Sequence, residues 1–274
     1  MKLVKVTVVF PEGRHKVLTM SYDDGKEADR RLVALFNRYG IKGSFHLNSG
    51  LFHTAGRIPS HEIADLFQGH EISAHTYTHP TIERSPKEQL ISEIMEDRKV
   101  LEQLAGCTVR GMSYPNGSFN SRIKSMLPFL GIEYARTVNS TGSFGMPDDF
   151  LEWNPTCHHK HDLMQKAETF AGLHKTQYLY MMYVWGHSYE FDLDHNWDII
   201  EEFCAFISGR KDIWYATNIE IVDYMNAFHA LKFSADSRFV YNPSAQSVWL
   251  NVDGETVEVK GGRQLTLAGQ KSTS

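Results

Sequence analysis

The stretch KVLTMSYDDGKEADRRL, residues 16–32, runs from an apolar, β-rich segment directly into two adjacent aspartates and a glycine. The apolar segment predicts a buried strand, and the amphipathic pattern after it predicts a helix that ends at Gly40. Neighbouring carboxylates repel each other, and burying either one is costly without a compensating cation or donor. Asp23 and Asp24 therefore either form a turn and a helix N-cap or serve a chemical purpose.

The same strand-then-helix pattern recurs about seven times up to residue 229. This alternation predicts an α/β protein with a parallel sheet, either closed as a barrel or open and doubly wound, and we favour a barrel-like closure. The predicted strands span residues 16–22, 43–48, 71–75, 109–114, 132–137, 177–185 and 212–216.

Residues 231–274 have a different pattern. They contain short alternating runs, with Asp253-Gly254 as a two-residue hairpin turn between the last two. We expect residues 1–230 to form a catalytic domain and residues 231–274 to form a small β-rich extension packed on it, with a strand at 3–9 as the candidate for pairing with the extension. The final segment GQKSTS, 269–274, is expected to be disordered.

Composition narrows the classes of partner. The 274 residues carry a net charge of -5 and show no basic stripe, which disfavours nucleic acid or an anionic membrane as partner. Three cysteines, far apart, argue against a disulfide framework. The first apolar run is too short for a signal-peptide core and no segment has the length of a bilayer span, so a cytoplasmic location is expected. The sequence leaves the oligomeric state open.

Four polar groups follow the ends of predicted strands. They are Asp23-Asp24, the pair His75 and His79, RGMSYPNG at 110–117, and VWGHSYEF at 184–191. In a parallel β/α architecture the carboxyl ends of the strands converge on one face, where active sites are built. An HxxxH pair alone is weak evidence, but two imidazoles and one carboxylate make a three-ligand site with an open position, as catalytic metals require.

These motifs resemble, in order and spacing, those of a known family. SYDDG, HTYTH and RGMSYPNG are similar to successive motifs of the polysaccharide deacetylases, the carbohydrate esterases that share a NodB homology domain, and WGHSYEF looks like their late histidine motif. The resemblance covers roughly residues 16–225. It implies a distorted (β/α) barrel, usually of seven strands, in agreement with the number of units predicted above.

The resemblance also implies roles for particular residues. Asp24, His75 and His79 would hold a divalent metal ion, most commonly zinc, with cobalt, nickel or manganese as alternatives. Asp23 would be the general base toward a metal-activated water, and His187 would be the general acid. The implied activity is removal of N- or O-linked acetyl groups from a glycan or oligosaccharide.

The third and fourth motifs imply the remaining contacts. Tyr114, Pro115 and Asn116 would lie at the substrate, with the backbone N–H of Asn116 directed at the oxyanion. Arg110 would orient Asp23, although many family members carry an arginine nearer the proline of this motif. Its distance from Pro115 is a departure from the family pattern.

Two tryptophans are expected at the acetyl group. Trp153 would form an apolar wall for the methyl, and Trp185 would lie near the site. The family usually has an aspartate beside the first tryptophan, but this chain has Glu152. Either Glu152 or Asp192 is therefore a candidate for tuning His187.

Other interpretations stay open at this point. A degenerate member could bind sugars without turnover, and relatives of the fold hydrolyse amide bonds in small nitrogenous compounds. The segment CHHKH, 157–161, could bind a second metal, but we favour a solvated loop because adjacent histidines point in divergent directions. Cys157 is expected to be structural.

Overall fold

A parallel sheet of eight strands forms the centre of the protein, whose structure, a computed structural model, describes residues 5–267. The strands in chain order are β1 Val6–Val9, β2 Lys16–Asp23, β3 Gly43–Leu47, β4 Glu71–Ala74, β5 Gly111–Ser113, β6 Tyr134–Arg136, β7 Cys157–His158, β8 Tyr180–Gly186, β9 Ile213–Tyr215, β10 Lys232–Phe233, β11 Phe239–Tyr241, β12 Val248–Val252, β13 Glu255–Val259 and β14 Gln264–Thr266. The central sheet has the order β6-β5-β4-β3-β2-β8-β7, and β9 also pairs with β2.

Helices follow most strands of this sheet. They are α1 Asp29–Tyr39, α2 Ile63–Leu66, α3 Lys87–Ala105, α4 Ser121–Met126, α5 Leu163–Ala171, α6 Tyr189–Leu193, α7 Trp197–Ile207 and α8 Asn218–His229. Helix α1 packs through one apolar face, on which Leu32, Val33 and Phe36 are buried. It ends at Gly40 in the left-handed conformation (φ 64°), which glycine adopts without strain.

Strand β2 is the central strand of the sheet, and all eight of its residues are buried. It pairs in parallel with β3 and with β8, so that Tyr22 lies between Phe45 and Gly186. This register places Asp23 opposite His46 at the carboxyl ends of the strands. Parallel strands buried on both faces are rich in apolar residues, and β2 carries Val17, Leu18, Met20 and Tyr22 into the core.

The segment from Trp153 to His159 links the two edges of the sheet. At β6, the N–H of Trp153 donates to the carbonyl oxygen of Ala135 (3.0 Å). At β8, the N–H of His159 donates to the carbonyl oxygen of Trp185 (2.9 Å). The sheet therefore curls into a distorted (β/α) barrel, and the predicted fold class is confirmed.

The residues after α8 pack beneath the barrel. Strand β1 pairs antiparallel with β12, and β12 and β13 form a hairpin around Asp253-Gly254 as the sequence predicted. Apolar side chains of this layer, such as Val248 and Leu250, share a core with Tyr183 and Tyr224. Within residues 5–267, none of the helices is long and apolar enough to cross a bilayer. The predicted disorder of 269–274 lies outside the described residues.

Candidate active site and metal centre

Asp24, His75 and His79 lie together at the carboxyl ends of β2 and β4. Their ligand atoms are all within 4.8 Å of one another. Oδ1 of Asp24 lies 3.8 Å from Nε2 of His79, and the two imidazole rings are 4.7 Å apart between centroids. Asp24 (φ 86°) and His79 (φ 61°) adopt left-handed backbone conformations that cost energy for residues with a side chain. Such strain is typical of functional sites.

His75 is oriented by polar neighbours on β5 and α3. Its Nδ1 lies 2.9 Å from the carbonyl oxygen of Ser113 and 2.6 Å from Oγ of the same residue. Its backbone N–H donates to Asp97, a fully buried carboxylate that also accepts bonds from Ser49. Burial lowers the pKa of His75 to about 4, so the imidazole is neutral near pH 7, and its Nε2 lies 3.9 Å from Oδ2 of Asp23.

This donor set fits a divalent cation. One carboxylate and two imidazoles form the three-residue set that catalytic zinc sites use, with a coordination position left for water or substrate. The hydrogen bonds of His75 Nδ1 are the outer contacts that commonly fix the orientation of a metal-binding histidine. Arg57 donates a hydrogen bond to the backbone oxygen of Asp24 and lies 3.7 Å from its Oδ1, which holds the loop that carries the carboxylate.

Asp23 occupies a separate, fully enclosed environment beside Asp24. Arg136 donates to its Oδ2, and the hydroxyl of Ser113 donates to its Oδ1 at 3.0 Å. His46 Nδ1 lies 3.4 Å from the same Oδ1. Burial alone would raise the pKa of Asp23, but Arg136, His75 and His46 lower it far below its ordinary value. Asp23 is therefore an ionised, rigidly held carboxylate.

The prediction that Arg110 orients Asp23 is wrong. Both terminal nitrogens of Arg110 bond to Asp223 at 2.7 Å, and Glu133 accepts further bonds from it at 3.1 Å. Arg110 precedes β5 and points to the outside of the barrel, whereas Arg136 ends β6 and points inward. The guanidinium of Arg136 is fully buried and lies 4.5 Å above the Trp185 ring.

His187 follows β8 and is partly buried. Its Nδ1 lies 3.4 Å from Oε2 of Glu190, and its backbone N–H donates to the same oxygen at 3.2 Å. Burial works against the charged imidazolium, but the contact with Glu190 and the charge of Asp23 outweigh it and raise the pKa of His187. The arrangement therefore favours the protonated form, which a general acid needs.

Glu190 replaces the two acidic residues that the sequence suggested as partners of His187. Glu152 bonds to Lys124 (2.6 Å), and Asp192 accepts a hydrogen bond from the indole of Trp197 (2.8 Å). Glu190 was missed, although its position three residues after His187 at the start of a helical segment was a usable signal.

Two of the three third-motif side chains that the sequence predicted at the substrate are buried. Tyr114 is 1% exposed and its hydroxyl donates to the carbonyl of Leu151 (2.7 Å), so its ring packs away from the metal ligands. Pro115 is also buried. Asn116 is exposed and adopts a left-handed conformation (φ 57°), with its side-chain amide bonded to Thr81. Of the three, only Asn116 is accessible to a substrate.

The two predicted tryptophans have different positions. Trp185 lies against the site, with its ring 5.9 Å from that of His187 and its indole N–H bonded to Ser140. Trp153 is fully buried among Tyr134, Phe150 and Tyr183 in the core beneath the site. The prediction that Trp153 forms a wall for the acetyl methyl is therefore wrong, because no substrate can reach a ring with 0% exposure.

The segment CHHKH is also not the solvated loop that the sequence favoured. Cys157 and His158 form β7, and His158 and His159 are buried. The ring of His159 stacks between those of Tyr22 and Phe191, at centroid distances of 5.7 and 4.2 Å. Gly186 makes room for it, since a Cβ there would lie 2.0 Å from Nδ1 of His159. Cys157 is buried, in agreement with a structural role.

Comparison with known proteins finds similar sequences and a similar fold. Residues 11–135 match the sequence model of the polysaccharide deacetylases. Chitin deacetylase 1 of Cryptococcus neoformans var. grubii is 26% identical over 140 residues, which are 49% of this chain and 28% of the relative. A peptidoglycan-N-acetylglucosamine deacetylase of Listeria monocytogenes is 22% identical over 123 residues, 44% of this chain and 26% of the relative. The matched segments thus span little more than a quarter of the length of these curated relatives.

Solved structures show the same fold at low sequence identity. A Mycobacterium smegmatis protein assigned to the polysaccharide deacetylases superposes with a TM-score of 0.61 at 17% identity, over 81% of this chain and 94% of that one. The Xyl-CE4 domain of a xylanase from the hindgut metagenome of Trinervitermes trinervoides gives 0.55 at 14% identity, over 78% and 92%. Residues 11–135 thus carry the signature of the polysaccharide deacetylase family, as the motifs predicted, on the barrel fold of its structural neighbours.

Proposed function

We propose that this protein is a metal-dependent hydrolase that removes acetyl groups from a carbohydrate. The observation that carries the proposal is the pair of unequal aspartates: Asp24 lies with two histidines, and Asp23 is ionised and held by Arg136 and Ser113. The named relatives deacetylate chitin and peptidoglycan N-acetylglucosamine, which favours an N-acetyl sugar as substrate. The net charge of -5 and the absence of a basic stripe in the sequence suit a neutral glycan.

Asp24, His75 and His79 would hold the metal. When bound there, a divalent ion such as zinc lowers the pKa of a water and polarises the acetyl carbonyl. Asp23 then accepts a proton from the attacking water. Arg136 and Ser113 keep the Asp23 carboxylate ionised and fixed in direction, so that it is ready to accept that proton without rearrangement.

His187 supplies a proton to the leaving group. The charge of Glu190, 3.4 Å from Nδ1, favours the protonated form of His187, whose Nε2 is proposed to donate to the sugar nitrogen or oxygen. The backbone N–H of Asn116 is proposed to donate to the oxyanion, where a fixed dipole stabilises developing charge. Trp185 forms one side of the substrate site next to His187.

Acetate release from a substrate panel tests this function. The panel contains N-acetyl chitooligosaccharides, acetylated xylan, a simple acetyl ester and a small cyclic amide, each with chelator and with Zn²⁺ restored. We expect acetate from at least one carbohydrate, loss of that activity with chelator and recovery with zinc. Hydrolysis of the cyclic amide without acetate release from any sugar would contradict the proposal, as would carbohydrate activity that chelator leaves unchanged.

A further inference from the structure

Two buried histidines outside the proposed catalytic set, His158 and His159, converge on one oxygen of Glu190, the carboxylate that also contacts His187. Oε2 of Glu190 lies 3.1 Å from Nε2 of His158 and 3.4 Å from Nε2 of His159. The ligand atoms of these three residues are all within 4.8 Å of one another. His158 ends β7, His159 follows it, and Glu190 lies in the first turn of α6 after β8, so two neighbouring parallel strands deliver the group.

The hydrogen bonding of His159 is incomplete at both nitrogens of its ring. Its side chain is 1% exposed, yet within residues 5–267 neither ring nitrogen has a partner with hydrogen-bond geometry. A buried polar atom without a partner costs about 1–3 kcal/mol. The flat faces of Tyr22 and Phe191 fix the ring plane so that Nε2 is directed toward Glu190.

We propose that His158, His159 and Glu190 form a second divalent metal site, with zinc as the preferred ion. Zinc bonds to nitrogen and oxygen are about 2.0–2.2 Å long, so two ligands of a tetrahedral ion lie roughly 3.4 Å apart. The two imidazole-to-carboxylate distances of 3.1 and 3.4 Å match that separation. The proposal concerns residues that the deacetylase mechanism does not use as ligands, and it does not depend on the proposed function.

Binding of an ion must change one hydrogen bond of His158, whereas the second oxygen of Glu190 keeps its partner. Oε1 of Glu190 faces Lys160 at 3.2 Å, which leaves Oε2 for the ion. Nδ1 of His158 accepts a bond from the backbone N–H of Lys160 at 3.2 Å. Binding through Nε2 places the proton on Nδ1, so that the Lys160 N–H must turn away, and a metal-dependent shift of this amide is expected.

His187 lies next to the proposed ion. Its Nδ1 is 3.4 Å from the same oxygen of Glu190, so that this carboxylate is shared between His187 and the proposed ion. An ion at this site would therefore contact the environment of the proposed general acid directly.

Counting bound zinc separates the two sites. The full chain, stripped with chelator, is titrated with Zn²⁺ by calorimetry, and bound zinc is measured after dialysis by elemental analysis. We expect two ions for the native protein and one for Asp24→Ala/His79→Ala. In that double variant, adding the isosteric change Glu190→Gln should weaken zinc binding at least about tenfold, since even residues behind metal ligands contribute 10–100-fold.

His161→Ala is the matched control, because His161 is exposed and its ring lies only 5.6 Å from that of His158. It should still bind two ions, and circular dichroism checks that every variant is folded. If Glu190→Gln fails to fold, His158→Gln takes its place. The proposal is overturned if Asp24→Ala/His79→Ala binds no zinc, or if its remaining ion is held within tenfold as tightly after Glu190→Gln.

Discussion

Replacing Arg136 tests the assignment of the arginine that holds Asp23. In the native structure both side chains of this ion pair are buried, at 0% and 3% exposure. The change Arg136→Met keeps the bulk of the side chain but leaves the carboxylate of Asp23 without its main counter-charge. Breaking a buried pair by removing one partner costs about 3–5 kcal/mol, because an uncompensated charge stays behind. We expect that loss in the free energy of unfolding.

Arg110→Met is the matched comparison. Arg110 also forms a two-pronged pair with a carboxylate, Asp223, but the side chains are 29% and 37% exposed. Water can solvate whichever partner remains, so the cost should be about 1 kcal/mol or less. Arg136→Met should also abolish most acetate release, whereas Arg110→Met should leave it nearly unchanged.

A double variant identifies the cause of the loss. In Arg136→Met/Asp23→Asn the stranded charge is gone, so about 2 kcal/mol or more of the stability lost in Arg136→Met should return. Urea unfolding followed by tryptophan fluorescence measures the native protein, the three single variants Arg136→Met, Arg110→Met and Asp23→Asn, and the double variant. The reasoning fails if Arg136→Met costs no more stability than Arg110→Met, or if the effects of Arg136→Met and Asp23→Asn simply add.

Three further changes give distinct outcomes. Burial raises the pKa of Asp29 from 3.8 to about 7, so the folded protein keeps a proton that the unfolded chain releases, and stability falls as pH rises between these values. The free energy of unfolding of Asp29→Asn, measured with urea, should therefore exceed that of the native protein by up to about 4 kcal/mol at pH 8 and should equal it at pH 4. An equal gain at both pH values would contradict this. Gly186→Ala should lose about 1–3 kcal/mol of stability because its Cβ collides with His159. Gly145→Ala is the control and should be neutral, because the nearest atom to its Cβ is 3.5 Å away. Similar melting temperatures for the two variants would count against the packing of His159. His187→Ala should slow acetate release more from N-acetyl sugars than from an activated acetyl ester, which needs no proton on its leaving group, and equal losses would argue against the acid role.

The barrel and its first two motifs were predictable because they depend on local pattern. Residues 16–22 form a mostly apolar, β-rich segment that predicts a buried strand, and they lie in β2. Once the sheet was parallel, its topology alone brought Asp24 and the two histidines to the same end.

The partner of Asp23 could not be read from spacing. Arg110 and Arg136 lie at opposite ends of β5 and β6, and only the register of those strands decides which of them faces the barrel interior. Arg136 ends a predicted strand, the same signal that identified the other site residues, so its position was a usable clue. Trp153 was misplaced for a related reason: it lies in the linking segment, whose burial depends on closure of the barrel.

The burial of His158 and His159 in the segment CHHKH was not predicted for a different reason. Adjacent histidines alternate in direction along an extended chain, which favours solvent exposure for at least one of them. Here His159 follows the end of β7, and the glycine at position 186 on the neighbouring strand opens a space for its ring. The residues that make this fit are far apart in the sequence, so no pattern within CHHKH itself indicates it.

The unequal roles of the two adjacent aspartates are tested most directly by Asp23→Asn. The measurement is kcat for acetate release at saturating Zn²⁺, with the metal content of the Asp24, His75 and His79 site determined on the same sample. We predict retained metal and a fall in kcat of about 10²-fold or more, as expected when a general base is removed. An Asp23→Asn protein with retained metal and unchanged kcat would contradict the assignment of Asp23 as the base.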